Sequence, residues 1–235
     1  MVFLRKWLAA LVLGLVAITV SAAPQSGLGY STLETPQTTD TGKKVEVIEF
    51  FGYWCSHCYS FDPFLKSWAK KQGNNIVFKR VAVGFNDAMR PQQKMFYTLS
   101  AMGKLDSLHS KIFNAVQVEG LPLRRDEQVF DFITKNGVDR NKFIEIYNSP
   151  SIESLTQSAG QLQSLFKIDG VPTIAIDGRY ITSPSMVAGG VRMNMSEAEL
   201  QAAALKVMDG LVAKVRQEKN LDEAPAKSKR NKNAN

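Results

Sequence analysis

Apolar residues crowd into two β-rich runs in the first third of the chain. One is Val45 to Phe51 within "KKVEVIEFFGYW" and the other Ile76 to Phe85 within "NNIVFKRVAVGF". Short, nearly unbroken apolar runs of this kind predict buried strands. Between them Phe61, Phe64, Leu65 and Trp68 recur at i, i+3, i+4 and i+7, the spacing of a helix with one apolar face. Pro63 falls early in that helix and predicts a kink there, because it removes a backbone donor. Strand, helix and strand in about 40 residues suggest a βαβ unit with parallel strands and a right-handed crossover.

The pattern then changes. From about Ala88 to Lys167 the apolar period is helical, with stop signals at Gly103, Gly120 to Pro122, Asn136-Gly137 and Pro150, so four or five helices are expected. Strands return in "VPTIAIDGRYITS", where Asp177-Gly178 between two β-rich runs signals a tight hairpin. Ser196 followed by Glu199 has the capping-box spacing and opens a last helix reaching about Lys219 with Gly210 inside it. Residues 23 to 42, rich in Ser, Thr, Pro and Gln, read as a mostly extended segment. A small mixed sheet, interrupted by a helical insertion and closed by a hairpin and a helix, is the expected architecture.

The first residues change the setting. Arg5 and Lys6, the apolar run "LAALVLGLVAITV" and then "SAA" form an export signal with cleavage expected after Ala22. That run is shorter than the roughly 20 residues a spanning helix needs. The formal charge of +7 does not point to nucleic acid: removing Arg5 and Lys6 leaves +5, and setting aside Lys227, Lys229, Arg230 and Lys232 of the tail leaves +1. The folded body is close to neutral, and residues 221–235 read as a disordered basic tail.

The chain's only two cysteines, Cys55 and Cys58, enclose one of its two histidines, His57. At the end of a strand and the start of a helix, the Cys55 sulfur would meet unpaired backbone N–H groups and the positive end of the helix dipole, which favour a thiolate. His57 can add a hydrogen bond or a positive charge to the same effect. A stabilised thiolate stabilises the reduced pair and makes the disulfide a stronger oxidant. As an inert clasp the pair would close a very small loop, constraining the unfolded chain less than the roughly 3 kcal/mol of a 15-residue loop. As a metal site it lacks ligands, since His109 is the only other imidazole and a closed zinc site takes four. Tyr59 after Cys58 removes the haem-attachment pattern.

With these residues in place, the chain resembles the DsbA-type thiol:disulfide interchange proteins of the bacterial periplasm. The matching pieces are "VIEFFGYWCSHCYSF", the distant "GVPTIAIDG", the export signal and the helical block between. The resemblance implies an α/β thioredoxin fold with an inserted helical domain. The expected division is a signal peptide over 1–22, thioredoxin-like parts over 23–86 and 168–220, and the helical insertion over 87–167. It also implies that Val171 and Pro172, with Pro172 in cis, form a loop beside the cysteines that offers backbone groups to an extended substrate. Glu49 matches the family's buried acid, with a role in proton handling at Cys58; Lys79 and Arg80 are both possible partners for it. Ser56 departs from the Pro-His dipeptide of the best-known members, which leaves the oxidising strength open.

The expected activity is therefore a periplasmic dithiol oxidase acting on reduced exported polypeptides. It would use no cofactor beyond a redox-active Cys55–Cys58 disulfide, bind no metal or nucleic acid, act as a monomer, and be reoxidised by a DsbB-type quinone-linked membrane partner. A disulfide isomerase or reductase is the alternative within redox chemistry, and a peptide-binding chaperone the alternative outside it. Trp54, Phe51, Tyr53 and Tyr59 could add apolar substrate surface, with core packing the default for Phe51 and Tyr59. His109 is read as a helix-surface or packing residue.

Overall fold

The structure, a computed structural model, describes residues 29–190 and 194–221. The expected export signal and nearly all of the basic tail lie outside those residues. Five strands form one mixed sheet: β1 (Tyr30–Thr32), β2 (Val45–Phe51), β3 (Ile76–Ala82), β4 (Thr173–Ile176) and β5 (Tyr180–Thr182), in the order β1-β5-β4-β2-β3. β2 and β3 run parallel and every other neighbouring pair antiparallel. All seven residues of β2 are buried, as its unbroken apolar run requires of a central strand. β3 ends at Ala82, three residues earlier than its apolar run suggests; Gly84 follows, and Phe85 rests on the Trp54 ring.

α1 (Ser56–Gln72) crosses from β2 to β3 and is one unbroken element through Pro63. The helix loses only the bond that this residue would have donated to Tyr59. Its buried side is Cys58, Phe61, Asp62, Leu65 and Trp68, whereas Phe64 is 50% exposed. At about 100° per residue this face is turned toward Asp62 and leaves Phe64 on its outer side. The expected stripe is thus rotated, because Asp62 must point inward to reach its partners.

Five helices lie between β3 and β4: α2 (Arg90–Ala101), α3 (Leu105–Gln117), α4 (Asp126–Lys135), α5 (Arg140–Tyr147) and α6 (Pro150–Leu165). Gly103, Gly120 and Gly137, which separate them, all have positive φ, the backbone that stops a helix cheaply only at glycine. The chain then returns through β4 and β5, with Asp177 and Gly178 both in the left-handed region, as a tight hairpin turn demands. At Gly178 a side chain would also strike the Gln37 carbonyl oxygen. α7 (Pro184–Gly190) and α8 (Glu197–Glu218) complete the fold, and Ser196 and Glu199 form the capping box expected of them.

Two apolar clusters divide the interior. One lies on the α1/α8 side of the sheet, around Phe61, Leu65, Trp68, Met208 and Leu211. The other joins the sheet to the helical insertion around Phe50, Phe51, Tyr53, Phe113 and Phe166, and both cysteines belong to it. The cysteine pair therefore sits where insertion and sheet share a core.

Candidate active site

β2 delivers the chain to a short loop, Gly52 to Cys55, and α1 begins at once. Gly52 is needed there, since a Cβ would lie 2.3 Å from Trp54 Nε1. Cys55 is the N-cap of α1, with an extended backbone, and its Sγ accepts the backbone N–H of Cys58 at 3.1 Å. Serine or aspartate usually fills this position; here a sulfur does so, facing the unpaired N–H groups of the first turn.

The two sulfurs are electrostatically unequal. Cys55's pKa is lowered, first by the hydrogen bond from the Cys58 side chain and then by the Cys58 backbone N–H, with burial opposing and the His57 charge adding a smaller share. Cys58, fully buried, is pushed well above the ordinary thiol value by burial, by the hydrogen bond and charge of Cys55, and by Glu49. One proton held on Cys58 and an anion favoured on Cys55 is the charge pattern of an attacking or leaving thiolate beside a buried reserve thiol.

The Val171–Pro172 peptide is cis, and the Cys55 thiol donates to the Val171 carbonyl oxygen at 3.3 Å. A loop 116 residues away in sequence is thus brought against the Cys55 sulfur. The His57 imidazole does not bond the sulfur, although the residue's backbone N–H also favours the Cys55 anion. Its side chain is 72% exposed and its Nδ1 donates to Glu197 Oε1 at 2.8 Å. Ser60 donates to the same oxygen at 2.6 Å, and Gln201 approaches both. The hydrogen bond to Glu197 raises the pKa of His57, so the ring reaches Cys55 as a charge rather than a ligand. Glu197, at the first turn of α8, carries no sequence signal of this role beyond its acidic place in a helix N-terminus. Replacing it in Glu197→Gln is expected to lower the pH at which His57 titrates, read from the imidazole Cε1–H resonance; an unmoved midpoint would show that Glu197 leaves the ring unaffected.

Glu49, 1% exposed, accepts from Arg80 Nε at 2.7 Å, while its Oε1 has no hydrogen-bond partner. Register decides between the two candidate cations: Glu49 lies opposite Arg80 in the parallel pair, and Lys79 instead bonds Glu46 and Asp40. Burial raises Glu49's pKa to about 7, against the opposing pull of Arg80. Arg80 also bonds Asp62 at 2.7 Å, and Asp62 meets His109 at 3.3 Å. Tyr53, fully buried, donates its hydroxyl to His109 Nδ1 at 2.8 Å. Tyr53 is therefore an interior residue rather than substrate surface, and His109 takes the packing alternative rather than the helix-surface one. Trp54 is half-buried and its Nε1 is unpartnered, and Tyr59 is half-buried against Phe113.

Known proteins share this fold. The profile of the DSBA-like thioredoxin domain matches residues 64–201, more than half of the chain. The chain belongs to the DsbA-like thioredoxin family. The match begins beyond Cys58, so it does not rest on the cysteine motif. The thiol:disulfide interchange protein DsbA of Burkholderia cepacia is 41% identical over 188 residues, covering 77% of this chain and 89% of that protein. DsbA of Bordetella pertussis is 36% identical over 212 residues, 90% and 96% of the two chains. The crystal structure of Pseudomonas aeruginosa DsbA superposes with a TM-score of 0.74 at 30% identity, over 84% of this chain and 97% of that one. As a DsbA-like protein with a thioredoxin fold and a helical insertion, the chain is a thiol:disulfide oxidoreductase, and its two free cysteines stand as neighbours at the start of α1. Among the described residues no helix is long and apolar enough to cross a membrane.

Proposed function

We propose that the protein works in the oxidising direction, in the periplasm, introducing disulfides into reduced exported polypeptides. The observation that carries this reading is the Cys55 sulfur capping α1 while Cys58 is buried and protonated. Such a site favours the reduced pair and so drives electrons from substrate to enzyme.

In the oxidised protein a substrate thiolate attacks Cys55 Sγ and the Cys55–Cys58 bond breaks. Cys58 leaves with the electron pair and takes a proton, for which Glu49, poised near neutrality, is the proposed donor. A second substrate thiolate then attacks the substrate-side sulfur of the mixed disulfide. Cys55 leaves as a thiolate, and the substrate has lost two electrons to the enzyme. His57 lends positive charge to that thiolate, and Val171 and Pro172 hold the substrate segment by its backbone. The Cys55–Cys58 disulfide is the only redox group required, and a DsbB-type quinone-linked membrane protein reoxidises it.

Equilibration with glutathione buffers tests the direction. A potential well above the roughly −270 mV of thioredoxin is expected, together with stoichiometric oxidation of a reduced, unfolded substrate. A thioredoxin-like potential would assign the protein to reduction instead.

A further inference from the structure

The redox reaction leaves one buried constellation unused. Tyr53, His109 and Asp62 form a chain of hydrogen bonds in the core, from the loop before Cys55, through α3 of the helical insertion, to α1. The side chains of His109 and Asp62 are each more than nine-tenths buried. An Asp62 carboxylate only accepts, so His109 Nε2 carries a proton and its bare Nδ1 accepts the Tyr53 hydroxyl. The imidazole is neutral and fully occupied. Arg80 on β3 and Lys66 on α1 also act on it, both opposing a charge there, and the rings of Phe51 and Phe113 stand edge-on to it.

The same Asp62 oxygen also accepts from Arg80 Nη2, while Arg80 Nε serves Glu49. One guanidinium is thus shared between two carboxylates, and the share each receives depends on what else donates to Asp62. In a dry interior that balance is felt by every neighbouring charge. Loss of the His109 donor leaves Asp62 drawing more on Arg80 and leaves Glu49 less compensated, and Glu49 is the carboxylate that acts on Cys58, so a thiolate and hence the reduced pair are disfavoured.

We propose that His109 is a positioning residue of the redox reaction, through which the helical insertion tunes the Cys55–Cys58 equilibrium by donating a hydrogen bond to Asp62 and anchoring Tyr53. The inference rests on the thiol–disulfide chemistry already assigned to the family, not on the oxidising direction, because it predicts a difference between variants rather than an absolute potential.

The test is the equilibrium constant with glutathione at pH 7, measured on the full mature chain. His109→Leu is expected to make the pair less oxidising by threefold or more, about 14 mV at 29.6 mV per tenfold change. His109→Gln, whose amide can donate to Asp62 and accept from Tyr53, should restore the wild-type constant. In the Asp62→Asn background, which lacks the carboxylate that competes for Arg80, His109→Leu should have no further effect. A structural role alone would lower the stability of oxidised and reduced forms equally and leave the constant unchanged. That result, or a shift toward stronger oxidation, overturns the proposal. Should His109→Leu not fold, Asp62→Asn alone reads the same charge: it is expected to be at least threefold more oxidising, and a wild-type constant there is equally fatal.

Discussion

Cys55→Ser is expected to abolish oxidation of a reduced substrate, by a factor of a thousand or more in rate, while leaving the fold intact. The size follows from the chemistry: thiol–disulfide exchange runs through a thiolate on a reactive sulfur, and a serine hydroxyl cannot form the disulfide that accepts the electrons. The fold should survive because serine is itself a preferred N-cap and its oxygen can accept the Cys58 N–H in place of sulfur. Cys58→Ser should fail differently. It also stops turnover, but Cys55 remains and accumulates as a mixed disulfide when challenged with a disulfide-bearing peptide, since no resolving thiol is left to release it. Mass spectrometry after acid quenching separates the two. Trapping at Cys55→Ser in place of Cys58→Ser would reverse the roles assigned to the sulfurs, and undiminished refolding by Cys55→Ser would favour a chaperone whose thiols are secondary.

Glu49→Gln is expected to become more stable than the wild type as pH rises. Burial holds the Glu49 carboxyl at about 7 in the folded protein, against an ordinary value of 4.5. Between those values the unfolded chain has released a proton that the folded chain keeps, so ionisation favours unfolding and stability from this group falls with rising pH. At about 1.4 kcal/mol per pKa unit, the penalty reaches roughly 3 kcal/mol above pH 7 and vanishes below about pH 4. The amide that replaces the carboxyl in the variant stays neutral at every pH and can still accept from Arg80, whose charge Asp62 continues to balance. Urea unfolding of the oxidised forms at pH 4.5 and pH 8 should therefore show a gap between variant and wild type that widens by about 3 kcal/mol. A gap independent of pH would mean that Glu49 is ionised throughout, as an ordinary partner of Arg80.

These two residues also mark where sequence was readable and where it stopped. β2, α1, the five helices of the insertion, the Asp177-Gly178 turn and the Ser196 cap are written in local signals of period, turn chemistry and spacing, and the structure has them all. The cysteine pair is local in the same sense. β1 was legible only as extended chain, because three residues acquire their strand identity by pairing with β5 about 150 positions later. α7 has no apolar period in "PSMVAGG" to announce it. Phe64 shows the limit of periodicity, since the face of α1 is set by Asp62 reaching Arg80 and His109.

Partners were harder still. Arg80 and Lys79 are adjacent and alike, and only register shows which one meets Glu49. Glu197 reaches His57 across 140 positions, and His109 reaches Asp62 and Tyr53 across about 50. Such pairings are products of the tertiary fold, and no local pattern encodes them.

The borders of the sheet have a further consequence, for self-association. β3 is one outer strand, and its centre is Lys79 and Arg80, each committed to buried carboxylates on β2. β1, the other, is only three residues long. Cations in mid-strand and very short borders are the devices by which sheets resist growth into aggregates. The sheet's own edges are thereby kept from pairing with extended segments of other chains.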